Sequence, residues 1–520
     1  MEAVFAIGTS LSAQAAVDIA RGHRKVEIGS EAHARIVAAR KVVEAALADV
    51  DVAHYGINTG FGALAEVPIP ADQLRQLQIN LVRSHATGVG APLPRPIVRL
   101  VMLLRAQVLA AGHSGVRPLV VEKLVEMLNR GVHPIIPCQG SVGASGDLAP
   151  LAHLALALIG EGEAEYGGVR MASDVALGLA SIQPLALDAK EGLALINGTQ
   201  VMTAIGLVAL ARARKVVRAA DIAGALTVEG MLASVRPFDD RIQALRPYAG
   251  QSRVAANLRN LCADSPLVES HRDCGRVQDP YSLRCMPQVH GSVRDALAHV
   301  RQQIEIELNA VTDNPLVFAG ATDGAVKEGA VISGGNFHGQ PMSMACDYAA
   351  IAMTTLANIC ERRVEQLVNP HLNNGLPPFL STNSGLNSGF MIAQVTAASL
   401  VSESKGLSTP NSVDSIPSSA SREDHVSMGP IAARRFLDVV ENAERVVAIE
   451  LMCAAQSIDL RAPLTPGRGT TAAWQCIREA VTKLEEDRIL YPEIEKVADL
   501  IRSGALEDRV SEALHHGEFA

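Results

Sequence analysis

Residues 140–150 read Gly140-Ser141-Val142-Gly143-Ala144-Ser145-Gly146-Asp147-Leu148-Ala149-Pro150, and everything else in the chain is read from here. A phosphate-binding loop would need a lysine behind its last glycine, and none follows. A nucleophile elbow would need glycine two residues after the serine, where Asp147 stands. A plain structural reading survives both tests: a glycine-rich turn that opens a helix over 148–159, with Asp147 as its N-cap. The chemistry of Ala-Ser-Gly offers a second reading. The glycine nitrogen is sterically unhindered and can attack the carbonyl two residues back if the loop bends tightly. Loss of water closes a five-membered ring, and loss of the serine hydroxyl leaves an exocyclic methylene. The product, a methylidene-imidazolone, is an electrophile that no ordinary side chain supplies.

Upstream, the run from Pro92 to Gly112 predicts a helix that starts near Arg95, tolerates Pro96 in its first turn and stops at Gly112. Segment 117–130 repeats the amphipathic pattern, and 134–147 breaks it with Pro134, Pro137 and a cluster of glycines and serines. Residues 1–54 read as short helices around one turn. Downstream, helical periodicity runs over 200–234, 289–311, 340–367, 390–406 and 429–460, the scale of a long-helix bundle. Polar, glycine-bearing segments separate these at 268–288, 312–338, 368–388 and 407–428. Loops of that length inside a compact protein are usually functional. The expected organisation is a loop-rich region over 1–200 and a helical bundle over 201–520.

Composition agrees with a large helical body. Of 520 residues, 48% are apolar and 19% charged, which excludes a disordered chain. Aromatics are only 3%, and small or straight-chain residues favour packed helices. The sparse charge also points to surface buried between subunits. Net charge is −9, and the pairs Arg362-Arg363 and Arg434-Arg435 are flanked by acids and apolar residues, so nucleic acid is not an expected partner. The eight cysteines are scattered without C-x-x-C, as in a reduced, cytoplasmic protein. The N-terminus lacks the basic start of a signal peptide. Residues 366–402 carry no Asp, Glu, Lys or Arg, but Asn373-Asn374-Gly375 and Pro377-Pro378 interrupt them. A membrane helix needs about 20 predominantly apolar residues, so no membrane span is expected there.

The stretch 140–151 resembles the electrophile-forming signature of the aromatic amino acid lyases, the family of histidine, phenylalanine and tyrosine ammonia-lyases and their aminomutase relatives. Other segments resemble that family's motifs in the same order. They are Tyr55-Gly56-Ile57-Asn58-Thr59-Gly60-Phe61-Gly62, Asn197-Gly198-Thr199-Gln200, Gln278-Asp279-Pro280-Tyr281-Ser282-Leu283-Arg284-Cys285 and Gly334-Gly335-Asn336-Phe337-His338. Singly, these read as glycine turns or a helix irregularity; together they cover the chain from about residue 50 to beyond 430. The resemblance implies a mainly α fold, a long-helix bundle of the aspartase and fumarase type whose loop-rich N-terminal region carries the electrophile. It also implies a homotetramer with active sites shared between subunits. The electrophile would come from Ala144, Ser145 and Gly146, with no metal and no separate cofactor.

Roles then follow from the chemistry. A base must remove a proton from a weakly acidic β-carbon, and by resemblance it is Tyr55, with Tyr281 as a second hydroxyl beside the electrophile. Phenols ionise near pH 10, so the site must stabilise phenolate through cations or donors. Arg284 would clamp the substrate carboxylate with its planar fork. Asn197, Gln278 and Phe337 would line the pocket, Asn197 donating to the carboxylate or to the electrophile's oxygen.

Substrate choice rests on two positions. Ser84-His85 stands at the family's selecting pair, and Ser-His is typical of the histidine branch, though some tyrosine enzymes carry it too. Outside that context, a lone His is more often a satisfied core residue. Glu423, in Arg422-Glu423-Asp424-His425-Val426-Ser427-Met428, resembles the histidine branch, where arylalanine enzymes usually place Gln or Asn. An imidazole ring has one N–H and one basic nitrogen, which Glu423 and His85 can satisfy. A phenyl ring would leave the carboxylate desolvated and unpaired. Met391 would pack against the imidazole. The expected reaction is elimination of ammonia from L-histidine to trans-urocanate, in histidine degradation. The alternatives are a tyrosine or phenylalanine ammonia-lyase or an aminomutase, a direction in which Gly339-Gln340-Pro341 and residues 112–120 point, and a non-catalytic helical scaffold.

Overall fold

The computed structural model describes residues 4–49, 52–321, 328–514 and 519. The chain is mainly helical and divides into two compact units, each assembled from separated stretches. One comprises residues 1–208, 302–347 and 410–434; the other comprises 209–301, 348–409 and 435–520. The single boundary read near residue 200 thus meets a discontinuous division. Unit limits fall inside long helices such as Gln200–Gly230 and Gly429–Leu460.

In the first unit the helix Arg95–Ala110 is the axis of the core, buried from Ile97 to Ala110. Pro94 and Pro96 start it, and Gly112 turns the chain at φ 82° just past its end, as the punctuation predicted. Two arginines on this helix are buried. Arg99 donates to Ile19 O, Ala20 O and Leu128 O, carbonyls in the last turns of the helices Ala13–Ala20 and Pro118–Arg130. It thereby satisfies groups that a helix end leaves without partners. Residues 1–54 differ from the expectation of short helices only. Strands Phe5–Ile7 and Val26–Ile28 pair in parallel, and the helix Ser30–Ala48 is 19 residues long. Its Ala39, Val42, Val43 and Ala46 pack with Ile57 and Val317. Small antiparallel pairings complete the unit, among them Val89–Pro92 with Pro137–Gln139.

The second unit is a bundle built on long helices. Gln200–Gly230, Met286–Glu307, Gln340–Val368 and Gly429–Leu460 all send polar side chains into a common buried chain of contacts. His290 Nδ1 donates to Asp221 Oδ1 at 2.8 Å and its Nε2 accepts from Arg363 Nη1 at 3.2 Å, so the ring is neutral. Arg363 forms a bidentate pair with Glu450 at 2.6 and 2.9 Å, and Thr227 donates to the same carboxylate. Arg294 and His290 hold the Asp221 carboxyl down at about 2, against the upward pull of burial. Such a network registers four helices against one another, because breaking any one pair strands a buried charge.

Candidate active site

The 140–147 loop is closed by its own hydrogen bonds. Gly143 N donates to Ser141 Oγ and Ser141 Oγ donates to Gly146 O, each at 3.1 Å. Gly146 N donates to Gly143 O at 3.2 Å. The bend puts Ser145 at φ 49° and Gly146 at φ 80°, a region costing a non-glycine residue roughly 1–2 kcal/mol. What imposes it is a parallel bridge to the 197–200 turn. Gly198 N donates to Ser145 O at 3.2 Å, and Asp147 N to Gly198 O at 2.7 Å. A Cβ on Gly146 would stand 2.1 Å from Gly198 O, so only glycine fits.

Asp147 occupies the N-cap position of the helix Leu148–Leu158 but does not cap it. Its Oδ2 accepts instead from Val201 N at 2.7 Å and Met202 N at 3.1 Å, in the first turn of Gln200–Gly230. The expectation of a local cap is corrected: the N–H donors this carboxylate meets belong to a different helix. Burial pushes this carboxyl up to about 7, although the two amides pull the other way.

Beneath the bridge lies a set of buried polar groups in which Asn197 and Gln200 belong to a motif, whereas Arg105, Lys190 and Asp313 belong to none. Arg105, fully buried, donates through Nη1 to Asn197 O at 2.6 Å and Gln200 Oε1 at 2.9 Å. Burial lowers this guanidinium to about 10, with Asp313 and Asp147 opposing the shift. Asn197 Nδ2 donates to Asp313 Oδ1 and Asn314 O at 3.2 and 3.0 Å, and Lys190 pairs with Asp313 at 3.3 Å. The trace of Arg105 in the sequence is a single charge inside the otherwise uncharged run 100–110.

On the other side of the loop stands Glu423. Ser145 Oγ donates to its Oε1 at 3.4 Å, across 278 residues of sequence, and Ser418 Oγ donates to its Oε2 at 2.7 Å. Tyr55 lies half-buried in a turn facing the same carboxylate. Burial raises its phenol, the Gly62 backbone lowers it, and the Glu423 charge raises it again. Tyr55, Ser145 and Glu423 are therefore brought together, with Asn197 linked through Gly198. Phe337 precedes His338, whose Nε2 lies 3.1 Å from His425 O, two residues beyond Glu423. His85 ends the helix Leu74–His85; its Nδ1 is 2.9 Å from Leu81 O, which assigns the proton there and leaves Nε2 as the acceptor. Three residues on, Gly88 backs the loop, its Cα 3.1 Å from where a Gly140 Cβ would stand.

Gln278, Tyr281, Arg284 and Met391 belong to the second unit. There Arg284 stacks on the Tyr281 ring at 4.5 Å, and its Nε is buried without a partner among the described residues. Gln278 and Arg284 line a cavity of about 1020 Å³, beside Asp279, which pairs with Arg276 at 2.7 Å. Tyr281 is 71% exposed and its neighbour Val277 95%. Met391 begins the helix Met391–Leu407 and is partly exposed. Among the described residues no group of three or more His, Cys, Asp or Glu side chains is placed to hold a metal ion.

Residues 11–479 match the family described as aromatic amino acid lyase. The chain is 57% identical over 510 residues to the histidine ammonia-lyase of Sorangium cellulosum (strain So ce56), covering 98% of this chain and 99% of that one. Among solved structures it is similar to the histidine ammonia-lyase of Trypanosoma cruzi, at 44% identity and a TM-score of 0.90, covering 99% of this chain and 96% of that one. It is also similar to a tyrosine aminomutase from Streptomyces globisporus, at 36% identity and a TM-score of 0.90 over 98% of both chains.

Proposed function

The chain belongs to the aromatic amino acid lyase family, and on that premise we propose that it eliminates ammonia from L-histidine to give trans-urocanate. One observation carries this reading most directly: the Glu423 carboxylate is turned by Ser418 toward Ser145 and Tyr55. The Oε1 of a carboxylate in that place gains a donor from a ring that has an N–H and none from a ring that lacks one. The histidine ammonia-lyases to which the chain is similar support the same substrate.

The electrophile we propose is a methylidene-imidazolone formed from Ala144, Ser145 and Gly146. The residues present fit it, because the loop is already bent at Ser145 and Gly146 and the glycine carries no Cβ where Gly198 O approaches. That ring supplies an electrophilic methylidene carbon to which the substrate amine can add. The remaining work falls to side chains. Tyr55 takes the β-proton. Burial and Glu423 hold its phenol up, so the resting group is the protonated phenol. A substrate imidazole that engages the Glu423 carboxylate removes the smaller of the two effects holding the phenol up, and burial remains the larger. His85, through Nε2, accepts from or orders the other side of the ring. Arg284 binds the substrate carboxylate as a planar fork. Gln278, Tyr281, Phe337 and Met391 complete the pocket in this reading; the buried Asn197 amide donates to Asp313 and Asn314 instead of to substrate or electrophile, and supports the Gly198 turn.

We also propose a homotetramer whose sites draw on more than one subunit. The exposure of Tyr281 and Val277, and of Met344, Tyr348 and Ile351 at helical spacing on Gln340–Val368, supports it, since such apolar surface is seldom left to water. A cytoplasmic location is consistent with eight free cysteines; among the described residues no helix is long and apolar enough to cross a membrane.

A near-ultraviolet assay with L-histidine, L-tyrosine and L-phenylalanine in parallel tests the substrate. A rise with histidine, reduced far more by Glu423→Gln than any rise with the others, is the expected result. A rise with tyrosine or phenylalanine alone would overturn it.

A further inference from the structure

We propose that Ser418 is a positioning residue that sets substrate specificity by fixing the rotation of the Glu423 carboxylate; this rests on the reading of Glu423 as the group that meets the imidazole. Ser418 and Glu423 face each other across an antiparallel bridge, with Ser418 N donating to Glu423 O at 2.8 Å and Glu423 N to Ser418 O at 3.3 Å. Within that bridge the Ser418 hydroxyl donates to Oε2 at 2.7 Å, while Oε1 is the oxygen turned to Ser145. One oxygen is held and the other presented.

The turn that creates this arrangement is strained. Ser419, Ala420 and Ser421 all lie at positive φ, 51°, 53° and 67°. Three successive non-glycine residues in that region persist only where the surroundings over-determine them. Two contacts do so. Ser419 Oγ packs at 2.7 Å from the Cβ position that Gly62 leaves empty, and Arg422 pairs with Glu66 at 2.9 Å. Both partners belong to the loop that follows Tyr55, so one strained turn ties the specificity carboxylate to the segment bearing the proposed base.

A free glutamate rotates about its terminal torsion and presents either oxygen in a broad range of orientations. A hydroxyl on one oxygen removes that freedom before the substrate arrives, which is preorganisation. Glu423 needs Ser418 for a ligand whose ring nitrogen must meet one oxygen, and not for a ligand that lacks such a nitrogen.

The test uses the full-length enzyme and two ligands. KM and kcat for L-histidine and the competitive inhibition constant of L-phenylalanine are measured for the wild type, Ser418→Ala and Ser418→Thr. Ser418→Ala is expected to lower kcat/KM for histidine by about tenfold to a hundredfold, the scale of one hydrogen bond to a charged group. The phenylalanine constant should stay within about twofold of wild type, because that ring does not use the carboxylate. Ser418→Thr, which keeps the hydroxyl, should recover most of the loss. An unchanged KM and kcat for histidine in Ser418→Ala would overturn the proposal, as would a parallel weakening of phenylalanine, the sign of a collapsed loop. A wild type that turns over tyrosine or phenylalanine but not histidine would instead remove the reading on which the proposal rests.

Discussion

Gly146 and Gly198 lie side by side in a parallel bridge, so close that a Cβ on Gly146 would stand 2.1 Å from the Gly198 carbonyl oxygen. Gly198 itself is at φ 146°, and a Cβ there would meet Thr312 O at 2.5 Å. Both glycines are thus required by close backbone approach. Gly198→Ala is expected to destabilise the folded chain by about 2–4 kcal/mol and to strip activity from what still folds. Chemical unfolding and a turnover assay on the same preparation check it; a variant of wild-type stability would mean that the turn can relax.

Ser145→Ala removes the hydroxyl that must leave if the ring is to form. The substitution should leave the fold intact, since among the described residues the Ser145 hydroxyl makes one long contact, with Glu423, and the backbone bond to Gly198 is kept. Intact-mass measurement should show the wild type lighter than its sequence by the two waters lost in cyclisation and dehydration. The variant should lack the dehydration and turn over no substrate. An active Ser145→Ala enzyme would sink the proposed electrophile.

Arg105 is the cation beneath the bridge. Replacing it with methionine keeps the volume and leaves Asn197 O and Gln200 Oε1 without their donor. A loss of about 2–4 kcal/mol is expected, with Arg105→Lys milder because one donor can still reach. Equal stability of the wild type and Arg105→Met in urea would show that the guanidinium is dispensable.

Asp147 links stability to pH. Its carboxyl is raised from 3.8 to about 7 by burial. A raised carboxyl binds its proton more tightly in the folded state, so this group favours folding most below pH 3.8. That contribution is lost progressively as pH climbs to about 7, and levels off above. Asp147→Asn cannot ionise and still offers an acceptor to Val201 and Met202. It should therefore gain stability relative to wild type between pH 4 and 7, by up to about 4 kcal/mol, with no further change above. A pH-independent difference between the two would show that Asp147 does not titrate in this range.

Much of the helical frame was legible in the residues. The helix Arg95–Ala110 was bracketed by Pro96 and Gly112, and the helices Gln340–Val368 and Gly429–Leu460 were visible as long apolar periodicities, because helix punctuation and face burial act over a few residues. The site was legible as motifs, and the roles of Tyr55, Ala144 to Gly146, Asn197 and Glu423 came from resemblance.

What the chain alone determined was local: where helices begin and end, which glycines must be glycine, and that Ala144-Ser145-Gly146 has the atoms for an electrophile. Tertiary structure decided which groups meet. Asp147 looked like the cap of its own helix, yet its carboxylate serves Val201 and Met202. Arg105 showed only as a lone charge in a hydrophobic run, Ser418 carried no signal of its own, and Glu423 lies 278 positions from the Ser145 it meets. The physical reason is that a buried donor or acceptor must be satisfied by whatever polar group is nearest in space. Nearness in space is a property of packing, which a sequence pattern of period 2 or 3.6 does not record.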